Sequence, residues 1–253
     1  MKPPLRTDLR ISAEIVEGDI ALKNHAVVCA GNPLRVEMLD ALIVRSGSMS
    51  TTALASILDA GCSVIWEGKA GQAAFTPATR ARSTDFLVRQ AECASRKVER
   101  LAAIRRMMTL RFDASPPRSY TENEIRGWEG RRMATLFRDL AREHEVAWDG
   151  RQNDPSGDFQ SADPINRALS SAFAILYREV HLCTLVMGMS PALGFLHRGD
   201  LRSFVYDAAD LYKNEVATEV FALFVEEDYV AREWISDLVR THFVRDMKDV
   251  LWG

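Results

Sequence analysis

The chain has 253 residues, 47% of them hydrophobic and 26% charged, with a formal net charge of −3. That composition is globular, with room for one large domain or two modest ones, and argues weakly against nucleic acid on charge alone. No apolar run reaches the ~20 residues of a membrane-spanning helix, and "MKPPLRTDLR" has no apolar signal segment behind its charges, so the sequence points to the cytoplasm.

Residues 9 to 75 read as short strands and turns. "LRISAEIVEGDIAL" carries β-branched residues around a Glu17-Gly18-Asp19 turn, and "HAVVCAGNPLRVEML" predicts a hairpin across Gly31-Asn32-Pro33. "MLDALIVRSG" and "CSVIWEG" read as buried strands. Between them "SMSTTALASILDAG" predicts a short helix capped by Ser50 or Thr51 and stopped at Gly61. After Pro77 the pattern is helical. One long helix is expected over residues 79–112, with Arg82, Arg89 and Arg96 recurring every seven residues on one face. Pro116-Pro117 ends it, and Thr121 to Glu124 offer a capping box for a helix over about 123–145. "NDPSGDFQSADP" is a polar loop, "INRALSSAFAILYREVHLCTLVMG" a buried helix, and further helices begin near Ser203 and Val230. The fold class is therefore α+β: a small β-rich N-terminal domain over 1–76, then a larger all-helical domain over 77–253.

Charge is unevenly spread. Residues 80–118 hold ten Arg/Lys against four Asp/Glu, and residues 219–249 hold eight acids against four bases. The four cysteines (Cys29, Cys62, Cys93, Cys183) form no CxxC pair and read as reduced, buried thiols rather than zinc ligands. Gly61 and Gly68-Lys69 are separated by six residues where a phosphate loop has four, and GxGxxG, GxSxG and HExxH are absent. Asp207 and Asp210 are three apart and share a helix face, with Ser203 as a possible N-cap; acids near a helix start are common without catalysis. Glu129-Gly130 lies inside an expected helix, where glycine costs ~1 kcal/mol and suggests close approach of another group. Glu129, His197 and an aspartate would make a mixed oxygen–nitrogen site for Mg²⁺ or Mn²⁺.

"EGRRMATLF", "DPINRALSSAFAILY" and "SPALGFLHRGDLRSFVYDAADLYK", in that order, resemble CRISPR-associated protein 1, the integrase of spacer acquisition. "RSGSMSTTALASILDAGCSVIWEG" and "TRARSTDFLVRQAE…RRMMTLRF" look like the type I-E branch, so the resemblance spans about residues 9 to 251. It implies that the metal is held by Glu129 (in E-G-x-R, with Arg132), His197 (in G-F-x-H) and Asp210 (in Y-D-x-A-D), with Asp207 as companion acid. It implies a metal-dependent DNA integrase and endonuclease that joins spacer 3′-OH ends to the CRISPR repeat by transesterification. The β domain would form the homodimer, and two dimers would flank a dimer of CRISPR-associated protein 2. Arg80, Arg82, Arg89, Arg96, Lys97, Arg100, Arg105 and Arg106 are the candidate phosphate contacts, with a solvated helix face as the plain alternative. The rival readings are a metal-dependent DNA repair nuclease acting on branched or single-stranded DNA, and a non-catalytic DNA-binding assembly subunit.

Overall fold

A computed structural model describes residues 10–68, 73–77, 84–152, 163–225 and 232–253. Its strands all lie before its long helices. Strand β1 (Ala13–Glu17) is followed by β2 (Ile20–Lys23), β3 (Ala26–Cys29), β4 (Asn32–Pro33) and β5 (Ala41–Ser46). Helix α1 (Thr51–Asp59) then leads to β6 (Ser63–Glu67) and β7 (Ala73–Thr76). A four-stranded sheet runs β1-β5-β6-β7, with β1, β5 and β6 parallel and β7 antiparallel to β6. Strands β2-β3-β4 form a separate antiparallel sheet. Gly18, at φ +124°, turns the chain from one sheet to the other, so the Glu17-Gly18-Asp19 turn joins strands that do not pair. The expected hairpin at Gly31-Asn32-Pro33 is shifted: Asn32 and Pro33 belong to β4, and the turn is Ala30-Gly31, both at positive φ.

Alternation explains why β5 reads as an unbroken apolar run. Leu42 and Val44 face a small core shared with α1 and the β2–β4 sheet, while Ala41 and Ile43 face the helices. Helix α1 starts as expected, with the Ser50 hydroxyl accepting from the Ala53 N–H, and stops before Gly61 at φ +89°.

The helical part comprises α2 (Asp85–Ser95), α3 (Lys97–Phe112), α4 (Glu122–Glu143), α5 (Pro164–Val186), α6 (Ser203–Asp210), α7 (Lys213–Val225) and α8 (Arg232–Trp252). The single helix expected over 79–112 is two helices among the described residues, because Arg96 is extended (φ −98°, ψ 119°). The Ser95 hydroxyl bonds back to the Ala91 carbonyl, and Arg100 Nη1 takes the Ala94 carbonyl at 3.0 Å, so the end of α2 is satisfied without continuing the helix. Helix α4 carries the expected capping box, Thr121 with Glu124. Helix α5 is long and apolar enough to cross a membrane by composition, yet 61% of that stretch is buried inside the fold, where it serves as the central core helix. The halves share one continuous core in which Ile11, Ile43 and Ile65 pack with residues of α2 to α8. The Ile11 N–H donates to the Arg240 carbonyl, and Arg240 Nη1 reaches the Ala13 carbonyl, tying the first strand to α8.

Candidate active site

Asp207 is where the site is built. It is fully buried, and its carboxylate accepts the peptide N–H groups of Phe195, Leu196 (3.1 Å) and His197 (2.9 Å). It also bonds His197 Nδ1 at 2.8 Å. The loop from Gly188 to Arg202 is thereby wound onto α6. Gly194 has to be glycine, since a Cβ there would lie 2.2 Å from the His197 carbonyl oxygen and 2.8 Å from Ser203. Buried Gln90 pins the other end through Ser190 and Leu193, and Phe195 stacks edge-on against Phe204. An ionised carboxylate can only accept, so the Nδ1 proton faces Asp207 and the Nε2 lone pair of the neutral ring is left free. The hydrogen bond to Asp207 raises the His197 pKa against the opposing effect of burial. Burial pushes the Asp207 carboxyl up, with His197 and the peptide groups opposing it.

Asp210 is also buried. Its Oδ1 lies 2.7 Å from the Lys213 ammonium, and its Oδ2 lies 3.8 Å from Arg111 Nη1 and 4.0 Å from His197 Nδ1. Burial pushes its pKa up, but Lys213 and Arg111 outweigh this and hold it below the usual carboxylate range. Arg111, at the end of α3, is 1% exposed and bonds Glu129 Oε1 of α4 through Nη1 at 2.6 Å. Its Nε donates to Asn214 at 3.1 Å, while its Nη2 has no hydrogen-bond partner among the described residues. Burial and the Asp210 charge raise Glu129, with Arg111 opposing. Lys213 is raised: burial acts against the charged form, and Asp210 outweighs it.

The two aspartates sit at the end of α6, not in its first turns. Ser203 is the first helical residue, and its hydroxyl bonds Asp200 rather than capping the helix. Asp210 instead stands just before α7, whose first residues supply Lys213 and Asn214. Close approach does not explain Gly130: a Cβ there meets nothing within 4 Å. Arg111, Lys213 and Asn214 were not among the sequence candidates. The signal for Lys213 was its place three residues after Asp210; for Arg111 there was only its membership in the basic stretch.

The donor chemistry suits a hard or borderline divalent ion: two carboxylates and a free imidazole nitrogen. Asp210 Oδ1 makes no hydrogen bond of good geometry beyond its ion pair with Lys213. Among the described residues no three such groups stand close enough to hold an ion as placed, because Arg111 and Lys213 lie against the carboxylates instead.

The basic candidates divide. Arg96 and Lys97 are exposed at the α2–α3 break, and exposed Arg132 lies over the Trp128 ring. Arg89 is spent on Glu92, Glu99 and the Leu251 carbonyl, and Arg100 on Glu122. Arg105 binds the carbonyls of Pro116, Pro117, Arg118 and Tyr120, and Arg106 those of Val250 and Leu251. Those four arginines hold the fold together. Arg80 and Arg82 lie outside the described residues.

The family model for CRISPR associated protein Cas1 matches residues 114–236, which hold Glu129, His197, Asp207 and Asp210. A CRISPR-associated endonuclease Cas1 of Rhodospirillum rubrum is 37% identical over 204 residues, covering 80% of this chain and 64% of that protein. Another, from Thermus thermophilus, is 39% identical over 178 residues, covering 69% and 54%. The chain thus aligns with under two thirds of the length of each of these two relatives. A crystal structure of a TtCas1–DNA complex superposes with a TM-score of 0.77 at 27% identity, covering 96% of this chain and 97% of that one. A casposase bound to integration product shares the fold, with a TM-score of 0.56 at 16% identity over 86% of this chain and 73% of that one. Fold, site and likenesses together place the chain among the CRISPR-associated proteins. Within that class it belongs to the Cas1 family.

Proposed function

We propose that this chain is a divalent-metal-dependent DNA integrase and endonuclease of CRISPR adaptation, joining spacer 3′-OH ends to the CRISPR repeat. The observation that carries it is the run of contacts from Glu129 through Arg111 Nη1 to Asp210 and on to His197, contributed by helices and a loop, around a guanidinium whose other nitrogen, Nη2, is buried with no acceptor among the described residues. A buried donor left unmade costs about 1–3 kcal/mol, and a phosphate oxygen from outside the chain would satisfy it. Glu129, Asp210 and His197 Nε2 would hold the ion, which supplies stabilisation of charge on the phosphoryl and leaving oxygens.

The chain's own residues do the rest. Asp207 orients His197 and fixes its tautomer. Lys213 keeps Asp210 ionised, and Arg111 opposes the burial that raises Glu129 while presenting Nη2 to the phosphate. The spacer 3′-oxygen forms its bond to the repeat phosphorus as the repeat's own 3′-oxygen leaves, so one phosphodiester replaces another and no nucleotide triphosphate is needed. Exposed Arg96, Lys97 and Arg132 contact phosphates without reading sequence. The working assembly is two homodimers around a dimer of CRISPR-associated protein 2, in the type I-E manner.

The test is strand transfer of a labelled duplex into a supercoiled plasmid carrying a CRISPR repeat, with the small partner and Mg²⁺ or Mn²⁺, and Glu129→Ala beside the native chain. Joining that requires metal and is lost in the variant supports the reading. Cleavage without joining overturns it in favour of a repair nuclease, and binding without chemistry in favour of an assembly subunit.

A further inference from the structure

Helix α2 contributes no group to the candidate site, yet one of its side chains is spent on the loop that carries His197. The buried residues of α2 are Phe86, Gln90 and Cys93, spaced four and three apart on the face turned to the core. Gln90 is 0% exposed. A primary amide in such a stripe is unfavourable unless its hydrogen bonds are made. Its nitrogen donates to the Ser190 carbonyl at 2.7 Å and to the Leu193 carbonyl at 3.2 Å, and its oxygen accepts the Ser190 N–H at 2.8 Å. Both amide hydrogens are therefore used on the loop. The helix beneath them is held in its turn by the end of α8: Phe86 meets the Trp252 ring edge-on at 5.0 Å, and Arg89 Nε donates to the Leu251 carbonyl at 2.9 Å.

What Gln90 supplies, Asp207 cannot. An ionised carboxylate accepts and does not donate, so Asp207 takes the peptide N–H groups of Phe195, Leu196 and His197 and leaves the loop's carbonyls to other partners. Gln90 meets two of those carbonyls, and the Phe204 N–H meets that of Pro191 at 2.8 Å. Leu193 directly precedes Gly194, whose backbone lies so close to the His197 carbonyl and to Ser203 that no side chain fits between them. Between the grip of Gln90 and the grip of Asp207 the chain has no slack. Asp207 thus sets the orientation of the imidazole, and Gln90 sets the seat of the loop against the helices. His197 Nδ1 stands 4.0 Å from Asp210 Oδ2, and a shift of the loop changes that spacing and the reach of Nε2 with it.

We infer that Gln90 is a positioning residue for the ion site: it fixes where the loop presents His197 to Asp210 and Glu129. It acts through the peptide chain of residues 190–197 and not by touching the ion or DNA. Without it two buried carbonyls and one N–H lose their partner, and the loop shifts to find water while Asp207 still holds residues 195–197. The loss is therefore expected in ion affinity before it is expected in the fold. The inference rests on the metal site of the proposed function.

The test titrates the full chain with Mn²⁺ alone, reading free ion by electron paramagnetic resonance, at a temperature where every variant is folded by circular dichroism. Gln90→Leu should bind Mn²⁺ about 10- to 100-fold more weakly than the native chain. Arg105→Ala is the control for lost stability, since that guanidinium bonds the carbonyls of Pro116, Pro117, Arg118 and Tyr120 and not the His197 loop. It should bind Mn²⁺ as the native chain does. Gln90→Glu keeps the shape and the bond from the Ser190 N–H but loses both bonds to carbonyls, so it too should bind more weakly, and it carries the test if Gln90→Leu does not fold. The inference is overturned if a folded Gln90 variant binds Mn²⁺ as tightly as the native chain, or if Arg105→Ala loses as much. If the native chain binds no Mn²⁺, the proposed function falls and amide exchange decides this inference by itself. Faster exchange at Phe195, Leu196 and His197 in Gln90→Leu than in Arg105→Ala keeps Gln90 as the seat of the loop, and equal exchange overturns it.

Discussion

Replacing Asp207 by alanine tests whether the His197 loop is hung from one carboxylate. The substitution removes the acceptor for the peptide N–H groups of Phe195, Leu196 and His197 and the partner of His197 Nδ1. Each buried donor left unmade costs about 1–3 kcal/mol, so the three peptide groups together set a range of about 3–9 kcal/mol. The carboxylate's own burial is unfavourable, as its raised pKa indicates, and losing it returns part of that cost. The expected loss is therefore near the lower end, about 3 kcal/mol, against a total stability of about 5–15 kcal/mol. With a urea dependence of about 3 kcal/mol per molar, the midpoint should fall by about 1 M, followed by circular dichroism in native and Asp207→Ala protein. Asp207→Asn should fall between them, because its amide oxygen accepts while its amide nitrogen faces donors. A midpoint for Asp207→Ala within about 0.3 M of native would refute the anchoring role.

Arg240→Ala should cost about 3–5 kcal/mol in thermal unfolding, because it strands Glu179 in the core. Changing Arg240 and Glu179 together to methionine should recover most of that loss, and a double variant no better than the single one would contradict the pairing argument. Arg96→Ala and Lys97→Ala should each lower the slope of log affinity for DNA against log salt by about 1; Arg105→Ala should leave the slope alone and lower the melting temperature, since its guanidinium ties down four carbonyls. Burial raises all four thiols, Cys62 to about 12. A raised thiol pKa means the thiolate is scarce at pH 8, on the order of one part in ten thousand for Cys62. Native protein should therefore resist a thiol-disulfide reagent at pH 8 and react only once unfolded.

Local chemistry was readable where one residue decides it. The Ser50 cap and the Thr121–Glu124 capping box each depend on contacts within four residues, and each stands as expected. Breaks set by contacts longer than one helical turn were not readable. The α2–α3 break depends on Arg100 reaching back to Ala94, and no periodicity signals it, because Arg89 and Arg96 keep helical spacing across it. The α6–α7 break likewise falls within "DAADLYK", a good helical sequence. The pairing of β1 with β5 rather than β2 follows from Gly18 and from burial of both faces of β5, which a local alternation count cannot resolve. Within the candidate site, Glu129, His197, Asp207 and Asp210 drew attention because they stand in short motifs. Their cationic partners Arg111 and Lys213 were hidden in ordinary helical stretches.

That omission has a physical consequence for how basic residues are read in this chain. Counted along the sequence, the ten positive residues between Arg80 and Arg118 suggest one DNA-facing stripe. In the fold, Arg89, Arg100, Arg105 and Arg106 hold carboxylates and helix-end carbonyls, and Arg111 is buried between Glu129 and Asn214. A guanidinium with several donors is suited to ending helices as well as to binding phosphate, and sequence cannot separate the two uses. Arg111 alone among these five keeps a buried donor, Nη2, without a partner among the described residues, while its Nη1 bonds Glu129 and lies 3.8 Å from Asp210. On the proposed function, the basic stretch would serve DNA at two points of different character: exposed Arg96 and Lys97, acting through charge and fading with salt, and buried Arg111, acting by geometry beside Glu129 and Asp210.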